Sequence, residues 1–139
     1  MDGIANLALR REVIFSGAFT VTSQQPEYLR GIALFNQGKF FDAHELLEDV
    51  WRVAPQEEKK IWQGLVQVAV ALHHSSTGNH VGMRSVLVRA MKNLDGHPPT
   101  FHGIQLPQLL KSLAQWLEAF DNNQPLPSLP RIDVAGRDT

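Results

Sequence analysis

Apolar residues return every three or four positions through most of this chain, and five stretches carry the pattern far enough to predict helices. The first runs through Tyr28, Leu29, Ile32, Ala33 and Phe35. Pro26 suits its first helical position, and Gly38, after Asn36-Gln37, suits a left-handed cap. The second spans about Lys39 to Ala54, stopped by Pro55, which disfavours helix in the residue before it. The third begins near Gln56, where Glu57 and Glu58 suit the positive end of the helix dipole, and continues to about Ser76 with Gly78 as its cap. The fourth covers about Asn79 to Leu94, with Met83, Leu87, Ala90, Met91 and Leu94 on one side. Asp95-Gly96-His97-Pro98-Pro99 breaks the pattern, which resumes as Leu106, Leu110, Leu113, Leu117 and Phe120.

Short links between amphipathic helices favour antiparallel neighbours. The predicted fold is therefore all-α, about five main helices in antiparallel hairpins. A faint repeat agrees: Gly38, Phe40, Ala43, Leu47 and Pro55 have the spacing of half a tetratricopeptide repeat, and Gly78, Leu87 and Ala90 fall at similar offsets forty residues on. Residues 26–120 form the predicted single helical domain. Residues 1–25 carry a weaker pattern, with Ile4 to Phe15 as a candidate helix stopped by Ser16-Gly17. Residues 121–139 hold Pro125, Pro127 and Pro130 and no helical period, so they read as an extended tail that docks or stays mobile.

Composition narrows the function classes. With 139 residues, 43% hydrophobic and 19% charged, the chain can bury one core. Thirteen basic and fourteen acidic residues give a net charge of −1, and no Lys/Arg run exceeds two. That leaves no broad footprint for nucleic acid or an anionic membrane. The longest apolar stretch, Ile61 to Leu72, is interrupted by Gln63, Gly64 and Gln67 and is too short to span a bilayer. Without a signal-peptide core the expected location is cytoplasmic. The absence of cysteine excludes disulfides, Fe–S clusters and thiolate zinc sites, so any metal would need His, carboxylate, amide or water ligands.

The polar residues of helices two and three mark the candidate site. His44, Glu48 and Trp51 share one face of helix two, with Glu45 at its edge. One His and two carboxylates within a turn and a half can bind a divalent metal or share protons. His-Glu-x-x-Glu lacks the second His of the zinc-protease motif, which argues against that activity. In helix three, Gln63 and Gln67 are four apart in an otherwise apolar run, and a buried amide costs about 1–3 kcal/mol without a partner. If helices two and three pair about Pro55, the nearest partners are His44, Glu45 and Glu48, with Gly64 allowing close backbone approach. The expectation is a buried His44/Glu45/Glu48–Gln63/Gln67 network inside that hairpin. Three readings compete: a network that only locks helix register, a ligand or metal site, and a solvated glutamate face.

His74 lies seven residues after Gln67 and could line the far end as a metal ligand, although a helix C-terminal role suits it better. His97 and His102 flank Pro98-Pro99 as surface residues, and Trp51, Trp62 and Trp116 read as core.

The string Phe35-Asn36-Gln37-Gly38-Lys39-Phe40-Phe41-Asp42-Ala43-His44-Glu45-Leu46-Leu47-Glu48-Asp49-Val50-Trp51-Arg52 resembles the signature of the "domain of unknown function 309" family. The likeness continues through Gln63-Gly64-Leu65-Val66-Gln67-Val68-Ala69, Ala71-Leu72-His73-His74, Gly78-Asn79 and Gly82, covering about residues 26–120. Phe101-His102-Gly103-Ile104 and the tail are similar to the cyanobacterial branch. The resemblance implies a small all-helical prokaryotic protein with His44, Glu45, Glu48, Trp51, Gln63, Gly64 and Gln67 at motif positions. It brings no substrate or reaction.

Two functional readings follow. One is a helical binding or scaffold module whose hairpin groove takes a protein or a small ligand, with homo-oligomerisation open. The other is a metal-assisted or general acid–base enzyme of hydrolase type. There His44 and Glu48 would hold metal or water, Glu45 would act as base and Gln63 would orient the substrate.

Overall fold

The computed structural model describes residues 25–136, so the candidate helix Ile4 to Phe15 lies outside the described residues. Five helices follow in order: α1 (Glu27–Asn36), α2 (Phe40–Val53), α3 (Lys59–Ser76), α4 (His80–Leu94) and α5 (Leu106–Asp121). The all-α class stands, with one small addition. A two-stranded antiparallel hairpin, β1 (Thr100–Phe101) and β2 (Ile104–Gln105), fills part of the break before α5.

Local chemistry explains the boundaries. Gly38 and Gly78 have φ of +83° and +84°, the left-handed geometry that closes α1 and α3 at little cost. Pro26 occupies the cap of α1 rather than its first turn. Pro55 ends α2, but Gln56–Glu58 then wind as a single 3-10 turn, so α3 proper starts at Lys59. The Asn79 side chain accepts the Gly82 N–H at 2.9 Å and caps α4. The β1–β2 turn has φ of +49° at His102 and +81° at Gly103, the paired left-handed conformation a two-residue hairpin requires.

α3 is the central helix. It packs against α2 on one side and α4 on the other, while α1 covers α2 and α5 covers α4. Burial on both flanks explains its apolar composition: Ile61, Trp62, Leu65, Val68, Ala69, Ala71 and Leu72 are all buried. Gly64 sets the α3–α4 contact. A Cβ there would lie 2.7 Å from Leu94 Cγ and 3.3 Å from the Ala90 carbonyl oxygen. The close approach foreseen for Gly64 is therefore real, but it faces α4 and not α2.

The segment after α5 docks on the body. Ile132 and Val134 are buried, and Ile104 and Val134 form an antiparallel bridge. The Asn36 side chain donates to the Ile132 carbonyl at 3.0 Å and accepts the Ile132 N–H at 2.9 Å, standing in for a strand partner. The Trp116 indole donates to the Ser128 carbonyl at 3.0 Å.

Two outcomes test this packing. Gly64→Ala should destabilise by about 1–3 kcal/mol through overpacking, and in urea melts the Gly64→Ala/Leu94→Ala pair should cost less than the sum of the single changes. The second concerns α4 and α5, which are joined by the Arg84 Nε and Nη2 groups donating to Asp121 Oδ1 and Oδ2 at 2.7 and 3.0 Å. That hydrogen bonding holds the Asp121 carboxyl below its ordinary range, with slight desolvation opposing and the Arg84 charge assisting. A depressed carboxyl contributes stability above the unfolded-state value and loses it as pH falls through the lowered folded value. Asp121→Asn should therefore lower stability slightly at neutral pH, make no difference at the acid extreme, and so flatten the limb of a stability–pH profile below about pH 4.

Candidate functional site

The outer face of α2 carries most of the residues singled out from sequence. Phe40 and Phe41 are adjacent, about 100° apart on the helix, so only one can point into the core. Phe40 is buried against Phe35, with ring centroids 5.1 Å apart, and Phe41 is 50% exposed. Instead of core, Phe41 meets two imidazoles, His44 of its own helix at 5.3 Å and His73 of α3 at 5.5 Å. With Val70 these three rings line an apolar recess of about 130 Å³ on the α2–α3 seam.

His44 has a defined hydrogen-bonding state. Its Nδ1 lies 3.1 Å from the Phe41 carbonyl oxygen, which can only accept, so Nδ1 carries the proton. Nε2 then points toward Glu48 Oε1 at 3.8 Å. Glu48 also receives Arg52 Nη2 at 3.4 Å, and Arg52 Nη1 donates to Asp49 at 2.7 Å. These pairs are solvent-exposed and contribute only a few tenths of a kcal/mol each. Beyond them, Asp42 and Glu45 are exposed and have no partner among the described residues. Both border a concavity of about 600 Å³ between α1 and α2, floored by Leu34 and Leu46.

At the other end of the seam, Lys59 Nζ sits 4.7 Å from the Trp51 ring centroid. It also donates to the Trp51 and Arg52 carbonyl oxygens at 2.6 and 3.0 Å. One cation thus caps α2 at its negative end and covers the half-buried indole.

The buried network expected between α2 and α3 is not formed. Gln63 is exposed. Gln67 points the other way, where its Oε1 accepts from Asn93 Nδ2 of α4 at 2.8 Å. Glu45 faces solvent, and His44 and Glu48 are only partly covered. The reason lies in α3 itself. Because Gly64 faces α4, Gln67 three residues on shares that side, while the stripe Lys59, Val66, Val70 and His73 borders α2. His74 likewise departs from the site: its Nδ1 lies 3.3 Å from Asn79 Nδ2 at the end of α3. Among the described residues no three His, Asp or Glu side chains converge as a cation-binding group.

Sequence reasoning passed over Phe41, Val70, His73 and Lys59. The Phe40-Phe41 doublet was the available signal, since two neighbouring aromatics on one helix cannot both enter the core. It also treated His102 as plain surface. His102 Nε2 lies 3.2 Å from Glu58 Oε1, which accepts the Trp62 indole N–H at 3.1 Å as well, and the Tyr28 hydroxyl donates to the His102 carbonyl at 3.4 Å. That set pins the hairpin turn to α1 and α3.

The residues of the seam all fall within a stretch that known proteins share. Residues 28–86 match the family described as "Domain of unknown function (DUF309)". Over that stretch the chain is similar to the DUF309 family. A relative in sequence is an "Uncharacterized protein" of Aquifex aeolicus (strain VF5), 35% identical over 92 residues, which span 66% of this chain and 28% of that protein. "Uncharacterized protein YpuF" of Bacillus subtilis (strain 168) is 29% identical over 86 residues, 57% of this chain and 49% of the relative. The chain thus spans less than half the length of these relatives. No described helix is long and apolar enough to cross a membrane.

Reassigning the two glutamines predicts their thermodynamics. Gln63→Leu should stay within about 0.5 kcal/mol of the parent, as exposed substitutions do. Gln67→Leu strands the Asn93 amide and should cost about 1 kcal/mol or more. A double-mutant cycle in urea should find coupling between Gln67 and Asn93 and additivity between Gln67 and Glu48.

Proposed function

We propose that this DUF309-like domain is a docking module whose recognition surface is the α2–α3 seam centred on Phe41. The observation that carries the reading is the 50% exposed phenyl ring, held between two imidazoles over an apolar recess when the neighbouring Phe40 is fully used in the core. A large ring kept in place at a surface depression is the form that anchor residues of interfaces take. The recess of about 130 Å³ matches one side chain, not a drug-sized ligand.

The charge pattern names the partner's chemistry. Around Phe41 the helix carries Asp42, Glu45, Glu48 and Asp49 against Arg52, and Asp42 and Glu45 have no partner among the described residues. A complementary segment presents one apolar side chain to the Phe41 recess and a Lys or Arg about one turn away to Asp42 and Glu45. An amphipathic helix meets both needs from one face.

A displayed library of random helical peptides, selected on the immobilised full chain, tests this. Enriched peptides should combine an apolar anchor with a basic residue three or four positions away. They should bind Phe41→Ala at least about tenfold more weakly, with NMR shifts confined to α2 and the Val70–His73 turn of α3. Thermal melting should show that Phe41→Ala folds normally, because so little of the ring is in the core. Peptides that bind Phe41→Ala equally well, or that map to another face, would overturn the proposal.

A further inference from the structure

A second surface lies outside the matched DUF309 stretch. α4 and α5 diverge enough to leave a predominantly apolar groove of about 590 Å³, floored by Val88, Met91, Leu110, Ala114 and Leu117. The helices are held at one end by the Arg84–Asp121 fork and meet at the other where Asp95 faces Pro107, so they run antiparallel along the groove.

The outward stripe of α5 reads Pro107, Lys111, Ala114, Glu118, Asp121, at alternating spacings of four and three, and every member is exposed. Lys111 and Glu118 have no partner among the described residues. They are seven residues apart, about 10 Å along the axis, and cannot satisfy one another. Ala114 sits between them and offers almost no side chain.

A two-fold axis perpendicular to α5 at Ala114 resolves all three features. The small residue lets two α5 helices approach closely. Lys111 lies about 4.5 Å to one side of the axis, and the two-fold brings Glu118 of the partner subunit to about 6 Å on that same side, within the reach of a lysine side chain. The contact occurs twice, as an isologous interface requires. The groove ends are complementary in the same sense. Lys92 and Lys111 outnumber Asp95 at one end, while Glu118 leaves the Arg84–Asp121 end net negative. An antiparallel partner sets one end against the other. A partner of a single charge would be repelled at one of them.

We infer that the α4–α5 groove with the outer stripe of α5 is a two-fold interface between copies of this chain. The partner of this surface is a second molecule of the same sequence, docked with its α5 antiparallel.

Sedimentation equilibrium of the full chain, run over a concentration series, tests the inference. The parent should show a monomer–dimer equilibrium. Lys111→Glu and Glu118→Lys should each raise the dimer Kd by about tenfold or more, since each places two like-charge pairs across the axis. The double variant Lys111→Glu/Glu118→Lys should return to within about threefold of the parent, a rescue available only to residues meeting across the two copies. Ala114→Arg, which sets two guanidiniums against each other at the axis, should leave monomer throughout. These sites are exposed, so circular dichroism should match the parent, as should melting at concentrations where the parent is monomeric. A parent monomeric at every concentration, as a groove filled by a different protein would give, overturns the inference. So does a dimer whose Kd is the same in the single and double charge variants.

Discussion

The contact between Gly64 and Leu94 assigns a direction to every other side chain of α3. With no Cβ at position 64, α4 lies against the α3 backbone, and the positions three, four and seven residues on turn to the same neighbour. Gln67 accordingly meets Asn93, and Val68 and Ala71 are buried. The remaining side of the helix is left to α2, and there the sequence supplies Lys59, Val66, Val70 and His73. A helix packed on two flanks has little surface for polar groups, so the polar contacts of α3 gather at the edges of its two seams.

The hairpins were legible because their signals are local. Left-handed geometry at Gly38 and Gly78 and the stop at Pro55 need only the chain's immediate neighbours, and the structure places all three at turns. The polar network failed because its key step was not local. Two amides four residues apart define a line along a helix, but nothing in their spacing says which neighbour that line faces. Gly64 was correctly read as a point of close approach and assigned to the wrong partner. The short hairpin at residues 100–105 escaped notice for a related reason: two-residue strands have no period, and their stability comes from Trp62 against Phe101 and from Ile104 against Val134.

What remained visible was the chemical character of α2. His44, Glu48 and Trp51 do share a face, as their spacing requires, but that face borders water along the seam rather than a closed interior. Solvent keeps its ion pairs weak, which suits recognition by charge pattern. The aromatic doublet adds the apolar element. One phenylalanine completes the core and the next, rotated by 100°, has nowhere to go but outward.

The placement of Leu94 has a practical consequence for how the domain is delimited. The DUF309 match ends at residue 86, inside α4, before Leu87, Ala90 and Leu94. A fragment trimmed to the shared stretch would keep the groove carved by Gly64 and discard the side chains that fill it. The family signature and the cooperative folding unit therefore have different borders. Limited proteolysis or excision that respects the second must keep the last two turns of α4.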